Sequence, residues 1–411
     1  MAKLLYYLGV FLYKFTIHFV AFLGNTKAKN WVNGRKDIFK RLKQTFEKNR
    51  HPVIWIHCAS LGEFEQGRPL IERLNTQFPS HKILLTFFSP SGYLVQKDYN
   101  KVDWVFYLPA DSPKHAAQFI SIVQPQQAIF VKYEFWYYYL MQLQAQQIPT
   151  YLISAIFRPN QPFFRWYGTL FRQMIGCFQH IFVQNEASLL LLKQIGYQRG
   201  VIAGDTRLDR VLAIKKQAKT FPILDAFCQK QYTLVCGSTW PADEAVLADF
   251  FQQFSACKLV IAPHQIDNKH LQQIEELFQF TNCLRYSQQA TADELAQASV
   301  LIIDNIGMLS SIYAYADLAY IGGGFGLGIH NILEAAVFEI PVLFGSNYQK
   351  FQEAKDLIEA GVAFEISHAK DMLYRVQQLQ QTAARAKIQQ QVQQYINQHS
   401  GATQVILKHL D

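Results

Sequence analysis

Charge is scarce in this chain: only 17% of its 411 residues are Asp, Glu, Lys or Arg. A charge-solvated, disordered protein is excluded as well, because half of the residues are hydrophobic and supply ample surface to bury. Paired cysteines are missing. The six cysteines, at 58, 177, 228, 236, 257 and 283, form no C-x-x-C motif, so zinc-ribbon and thioredoxin-type chemistry lack their ligands. Cys58, Cys236 and Cys257 lie in or beside apolar runs, where a reduced, buried thiol is expected, and this favours a cytoplasmic body. No metal-ligand cluster stands out, and without an Arg-rich run nucleic acid lacks its usual footprint. Long apolar runs are also rare, with a single stretch long enough to span a bilayer.

What is abundant is aromatic and basic. Phe, Trp and Tyr make up 14% of the chain, and the net charge is +8. Basic surfaces attract phosphates on nucleotides or anionic lipids. The single apolar stretch is LLYYLGVFLYKFTIHFVAFL, residues 4–23. Lys14 and His18 interrupt it, so a spanning helix and a helix lying in the interface are both compatible with it. A buried helix of the globular body is the plainer alternative. Lys27, Lys29, Arg35, Lys36, Lys40, Arg41, Lys43, Lys48 and Arg50 follow, against Asp37 and Glu47. That excess marks the downstream side as cytoplasmic and suits anionic headgroups.

The length suggests two domains of about 200 residues each. Short apolar runs alternate with amphipathic stretches, first at 52–59, 82–88, 103–109, 127–133, 150–156, 180–185 and 201–204. A second series follows at 232–238, 257–263, 300–305, 318–324 and 341–345. Continuous apolar strands separated by helices predict parallel sheets covered on both faces. The expected organisation is an anchor at 1–25, a first domain at 26–206, a linker at 207–228 and a second domain at 229–411. The Gln-rich tail is read as helical. Two doubly wound domains would face a cleft, with ligands at the carboxyl ends of the strands.

Candidate chemistry sits at those strand ends. In HCASLGEFEQG, Ser60 and Glu63 have the spacing of a capping box. Glu63 is thus a cap, a general base at the mouth of a site, or both. Gly62 falls in the first helical turn, where a glycine costs about 1 kcal/mol; close approach by a substrate would account for it. Glu134 ends the run VKYE, and Arg207 lies in GDTRLDR near the domain junction. Their plain readings are an exposed acid and a solvated linker charge. In the second half, GGGFGLGIHNILEAA predicts a glycine loop and a helix starting near His330–Asn331. Such a helix start favours a phosphate, although no G-x-G-x-x-G register is present, which argues against a dinucleotide site. Glu334 would accept bonds from ribose hydroxyls or complement the helix dipole. Thr239–Glu244, His264 and the loop 306–309 end other strands, with ordinary turn chemistry as their plain reading.

Taken in order, HCASLGEFEQGRPLI, VKYEFWYY, GDTRLDR, GSTWPADE, IAPH and GGGFGLGIHNILEAAVFEIPVLFG resemble the 3-deoxy-D-manno-octulosonic acid (Kdo) transferases of glycosyltransferase family 30. The resemblance runs from about residue 4 to the C-terminal helices. It implies an α/β GT-B fold, two Rossmann-like doubly wound domains with an N-terminal membrane-anchor helix. It implies CMP-Kdo as donor and the lipid A precursor, lipid IVA, as acceptor, at the cytoplasmic side of the inner membrane. No cofactor, metal or nucleic acid is implied. Glu63 matches the family's catalytic base, and Glu134 and Arg207 match its transition-state stabilisers. Arg207 stands where Lys is common, with the charge kept. Pro263, His264, Gly307, Met308, Leu309, Asn331, Ile332, Leu333 and Glu334 match the CMP-binding segments. His264 stands where many members have Arg, and Met308 where many have Glu, so those side-chain contacts are the ones in question. Two further readings share these features: another GT-B enzyme using a UDP- or GDP-sugar, and a membrane-tethered scaffold with an inactive core.

Overall fold

The computed structural model describes residues 2–410. It divides into two compact units, residues 1–209 with 400–411, and residues 210–399. The first unit carries strands β1 (Val53–Cys58), β2 (Lys82–Phe87), β3 (Trp104–Tyr107), β4 (Pro125–Val131), β5 (Thr150–Ala155), β6 (His180–Val183) and β7 (Gly200–Ile202). All pair in parallel, in the order β3-β2-β1-β4-β5-β6-β7. The apolar runs explain the burial. β1 is buried at every position, with Val53 and Trp55 packing into one core layer and Ile54, Ile56 and Cys58 into the other. Helices on both faces are what parallel crossovers require.

The second unit repeats the plan with β8 (Thr233–Thr239), β9 (Lys258–Pro263), β10 (Cys283–Arg285), β11 (Val300–Ile302), β12 (Leu318–Ile321), β13 (Val342–Gly345) and β14 (Ala363–Ile366). Their order is β10-β11-β9-β8-β12-β13-β14, again all parallel. Each sheet reverses its winding once, between β1 and β4 in the first and between β8 and β12 in the second. Those two reversals are where doubly wound sheets bind ligands.

Two expected boundaries differ from the structure. Residues 207–228 are not an extended linker, since they form most of the helices Thr206–Lys216 and Pro222–Cys228. The end of the chain does not stay with the second unit. The helix Ala402–Leu407 returns to the first, where Ala402, Ile406, Leu407 and Leu410 join the core layer that holds Leu70, Ile71 and Leu74 of the helix Leu61–Gln77. Two polar ties fix it: Gln77 Nε2 donates to the Leu407 carbonyl (3.1 Å), and the Asp209 carboxylate accepts from the amides of Gly401 and Thr403 at 2.6 Å each. An apolar patch on the helix Leu61–Gln77 needed covering, and the chain terminus provides it.

The helix Ala2–Phe22 is the one described helix long and apolar enough to cross a membrane. It is docked on the first unit. The Tyr6 hydroxyl donates to Asp111 Oδ2 (2.6 Å) and accepts from the amide of Tyr137 (3.2 Å), and the Tyr13 ring lies 5.8 Å from Phe88 and 6.1 Å from Trp31.

Candidate active site

In the first unit the reversal between β1 and β4 brings together the residues that follow those strands. Glu63 lies in the first turn of the helix after β1, and Glu134 three residues beyond β4. Both add to the burial that pushes the Cys58 thiol well above its ordinary value, so the two carboxylates share one neighbourhood. The capping box does not form. The Ser60 side chain caps no backbone N–H; its hydroxyl donates to the Glu63 carboxylate instead. Ser60 stays extended (φ −140°, ψ −179°), which turns its hydroxyl to the carboxylate three residues on. Gly62 meets no backbone constraint either. A Cβ there would lie 3.8 Å from the Ser60 hydroxyl with no other neighbour within 4 Å, so the space beside Gly62 is open.

Glu134 is buried, unlike its plain reading as an exposed acid. Its Oε2 accepts from Trp136 Nε1 (2.7 Å) and lies 3.1 Å from His57 Nε2. Trp136 Nε1 is also 3.1 Å from His57 Nε2. On the other side of the imidazole, Nδ1 is 2.9 Å from Thr86 Oγ1, which also takes the indole N–H of Trp55 at 2.8 Å. The Thr86 hydroxyl proton goes to the Ile56 carbonyl (3.3 Å). Its oxygen is therefore an acceptor toward His57, so Nδ1 carries the hydrogen. Nε2 then faces both the Trp136 indole N–H and Glu134 Oε2. His57, fully buried on a central strand, was not among the sequence candidates. A signal existed: His57 and Thr86 are polar residues in apolar runs, and they are register partners in β1 and β2.

Arg207 comes from the far edge of the sheet. Its guanidinium is clamped by Asp205, with Nε at 2.9 Å and Nη2 at 2.6 Å from Oδ2. It is not a solvated linker charge. Its neighbour Thr206 donates to the Gln66 carbonyl at 2.6 Å and meets Ser154 at 2.8 Å, which ties the start of this helix to the helix bearing Glu63.

In the second unit the reversal between β8 and β12 is lined by rings. His264, just after β9, stacks between Trp240 (4.7 Å) and His330 (4.5 Å). Trp240 Nε1 donates to His330 Nε2 at 3.0 Å. Burial, then His264, holds the His330 imidazole below its ordinary value. Asp243 stitches the loops together, accepting from the amides of Trp240 (2.9 Å) and Gly323 (2.8 Å) and from the Tyr320 hydroxyl (2.6 Å). The glycine loop has its own packing reasons. A Cβ on Gly322 would sit 2.2 Å from the Ser238 carbonyl, and one on Gly324 would sit 2.5 Å from the Gly345 amide. Close strand approach, rather than a ligand, accounts for those two glycines.

The helix after the loop is short, Leu333–Ala336, and starts later than expected. Asn331 takes the turn before it, accepting from the Leu333 amide (3.3 Å) and donating to Glu334 (3.0 Å). Burial raises the Glu334 carboxyl, with Asn331 and then Arg210 opposing. Ile332 and Leu333 are core side chains, so only their backbone is available to a ligand. Pro263 closes β9 and is buried, Met308 is buried, and Leu309 opens the helix Leu309–Ile312. Gly307 is left-handed (φ +91°), with open space where a Cβ would be.

Residues 36–210 match the family model described as 3-deoxy-D-manno-octulosonic-acid transferase (kdotransferase). The chain is thus similar to the Kdo transferases over its first unit. A 3-deoxy-D-manno-octulosonic acid transferase of Rickettsia prowazekii is 27% identical over 361 residues, 84% of this chain and 76% of that one. Its counterpart in Aquifex aeolicus is 25% identical over 369 residues, 86% of this chain and 94% of that one. Among solved structures, a glycosyltransferase from Rickettsia africae shares the fold at a TM-score of 0.57 and 12% identity, over 88% of this chain and 98% of that one. This chain's two doubly wound parallel sheets have the GT-B arrangement that the motifs implied.

Proposed function

We propose that this chain transfers Kdo from CMP-Kdo to the lipid A precursor, lipid IVA, with inversion, at the cytoplasmic face of the inner membrane in lipopolysaccharide synthesis. The observation that carries the reading is Glu63, half-buried and preceded by the open position of Gly62, at the winding reversal of the first sheet, within the segment that matches the Kdo transferase model. An acceptor hydroxyl seated there would lose its proton to the Glu63 carboxylate as its oxygen attacks the anomeric carbon of Kdo. The CMP phosphate leaves from the opposite face, which inverts the centre. The proton passes to Glu63, and the bonding pair goes to CMP.

The other residues prepare this step. The Ser60 hydroxyl orients the Glu63 carboxylate. His57 and Trp136 hold Glu134 in one rotamer, and a fixed carboxylate offers preorganised stabilisation to an electron-poor sugar ring. Arg207 would supply positive charge, already aligned by Asp205. In the second unit the Trp240–His264–His330 stack presents ring faces and imidazole N–H groups, suited to a pyrimidine or a phosphate. Asn331 and Glu334 would address the ribose.

The matched family segment ends at residue 210, before the second unit begins its sheet. The donor is therefore tested separately. Thermal stabilisation by CMP, UDP and GDP should be largest with CMP. A larger shift with UDP or GDP replaces the donor and returns the chain to glycosyltransferases of another sugar.

A further inference from the structure

The helix Ala2–Phe22 has two unlike faces. At about 100° per residue, Leu4, Leu5, Leu8, Phe11, Leu12, Phe15 and Phe19 share one exposed arc. Tyr6, Val10, Ile17, Val20 and Ala21 are half-buried or buried on the opposite face, against the first unit. The inward face is in use from one end of the helix to the other. A helix held this way lies along the body and offers its Leu/Phe arc to one leaflet.

Two cavities lie beneath it. The first, about 350 Å³, is apolar, with Gly9, Val10 and Tyr13 on the helix side and Phe88, Ala110 and Trp136 on the body side. Asp111 also borders it, but its carboxylate is committed to Tyr6 and to the amides of Tyr138 and Tyr139. The second, about 560 Å³, shares Ala110 with the first and is basic, with Lys14, Lys36 and Lys40 on its wall and Asp37 as the opposing charge. Among the described residues none of these three lysines has an ion-pair partner. Arg35, in the wall of the second, is not free to bind: it donates to the carbonyls of Leu108 (2.9 Å), Trp31 (3.1 Å) and Phe88 (2.7 Å).

We propose that these adjoining cavities form one lipid site, in which an acyl chain of the acceptor fills the apolar part and its phosphate meets the three lysines. The occupant's identity as acceptor rests on the proposed function above. Two observations carry the site. Gly9 sits in a helix interior, where it costs about 1 kcal/mol, and a Cβ on it would meet nothing within 4 Å; packing does not require the glycine, and the space beside it is vacant. Trp136, the inner wall of the apolar cavity, donates to Glu134 (2.7 Å), so an acyl chain held there lies beside the proposed centre of transfer.

The test is equilibrium binding in detergent of a tetra-acylated, doubly phosphorylated glucosamine disaccharide, with its deacylated form and a short-chain phosphatidylglycerol as the other probes. Gly9→Phe fills the apolar cavity and improves helix propensity, and Gly9→Ala serves as the control that leaves the space open. Gly9→Phe should weaken the acylated probe at least tenfold, with Gly9→Ala close to wild type and the deacylated probe little affected. The double variant Lys36→Gln/Lys40→Gln should weaken both phosphorylated disaccharides. Unchanged binding of the acylated probe to a folded Gly9→Phe protein overturns the site. Equal affinity for phosphatidylglycerol overturns the acceptor as occupant. If these affinities behave as stated while wild type transfers no Kdo, the lipid site stands and the Kdo reading falls.

Discussion

Asp111 offers the sharpest physical test of how the N-terminal helix is held. Its carboxylate is 1% exposed, and burial pushes it up to about 6 against the hydrogen bonds from Tyr6, Tyr138 and Tyr139, which lower it. A carboxyl raised in the folded state binds its proton more tightly there than in the unfolded chain. Its contribution is fully present below the unfolded value of about 4 and is lost as pH rises through about 6. The gap of about two pH units corresponds to at most about 3 kcal/mol, of which about 2 should be recovered between pH 7.5 and 4.5. Asp111→Asn cannot titrate. Its amide also opposes one of the donors that the carboxylate accepted, a fixed cost of about 1–3 kcal/mol. Denaturant unfolding of wild type and variant at several pH values separates the two effects, because all other titrations cancel in the difference. Wild type should gain about 2 kcal/mol on the variant on going from pH 7.5 to 4.5. A difference that stays constant, or shifts the other way, refutes a protonation-dependent dock.

Breaking the buried His57–Glu134 contact with His57→Leu should cost about 3–5 kcal/mol of stability and lower turnover. In a cycle with Glu134→Leu, the two losses should fail to add by more than about 1 kcal/mol; additive unfolding free energies would show that the two side chains act independently. Ile406→Ala, in the returning C-terminal helix, should destabilise the first unit by about 2–5 kcal/mol, whereas a change within about 0.5 kcal/mol would mean that this helix is not part of that core. Gly322→Ala forces a methyl against the Ser238 carbonyl and should destabilise the second unit in thermal melts; an unchanged melting temperature would contradict the close strand approach.

The sheets were legible because their central strands are continuous apolar runs, and the pattern of burial on β1 is what two covered faces demand. β10 and β14 were missed. Each is an edge strand of three or four residues, with half-exposed Cys283, Leu284 and Arg285 in one and an exposed Glu365 in the other. Such segments carry no apolar run. The capping-box spacing at Ser60 and Glu63 was correct as spacing, but it does not decide which partner a serine hydroxyl takes. The glycine loop invited a ligand because a sequence does not show that Gly322 and Gly324 lie against neighbouring strands. The return of residues 400–410 to the first unit depends on an apolar patch that exists only once the helix Leu61–Gln77 has formed. The positions of Glu63 and Glu134 were readable from strand ends alone, whereas the shell of His57, Thr86 and Trp136 around Glu134 required the register of β1 against β2 and β4.

Glu63 is the proposed base. The direct measurement is Kdo transfer from CMP-Kdo to the lipid A precursor by wild type and by Glu63→Gln, compared at equal folded fraction. The glutamine keeps an acceptor for the Ser60 hydroxyl but cannot take a proton. A rate loss of about a hundredfold or more, with the acceptor still bound, is the predicted result. Equal rates for the two proteins would contradict it and move the base to another carboxylate, with Glu134 next.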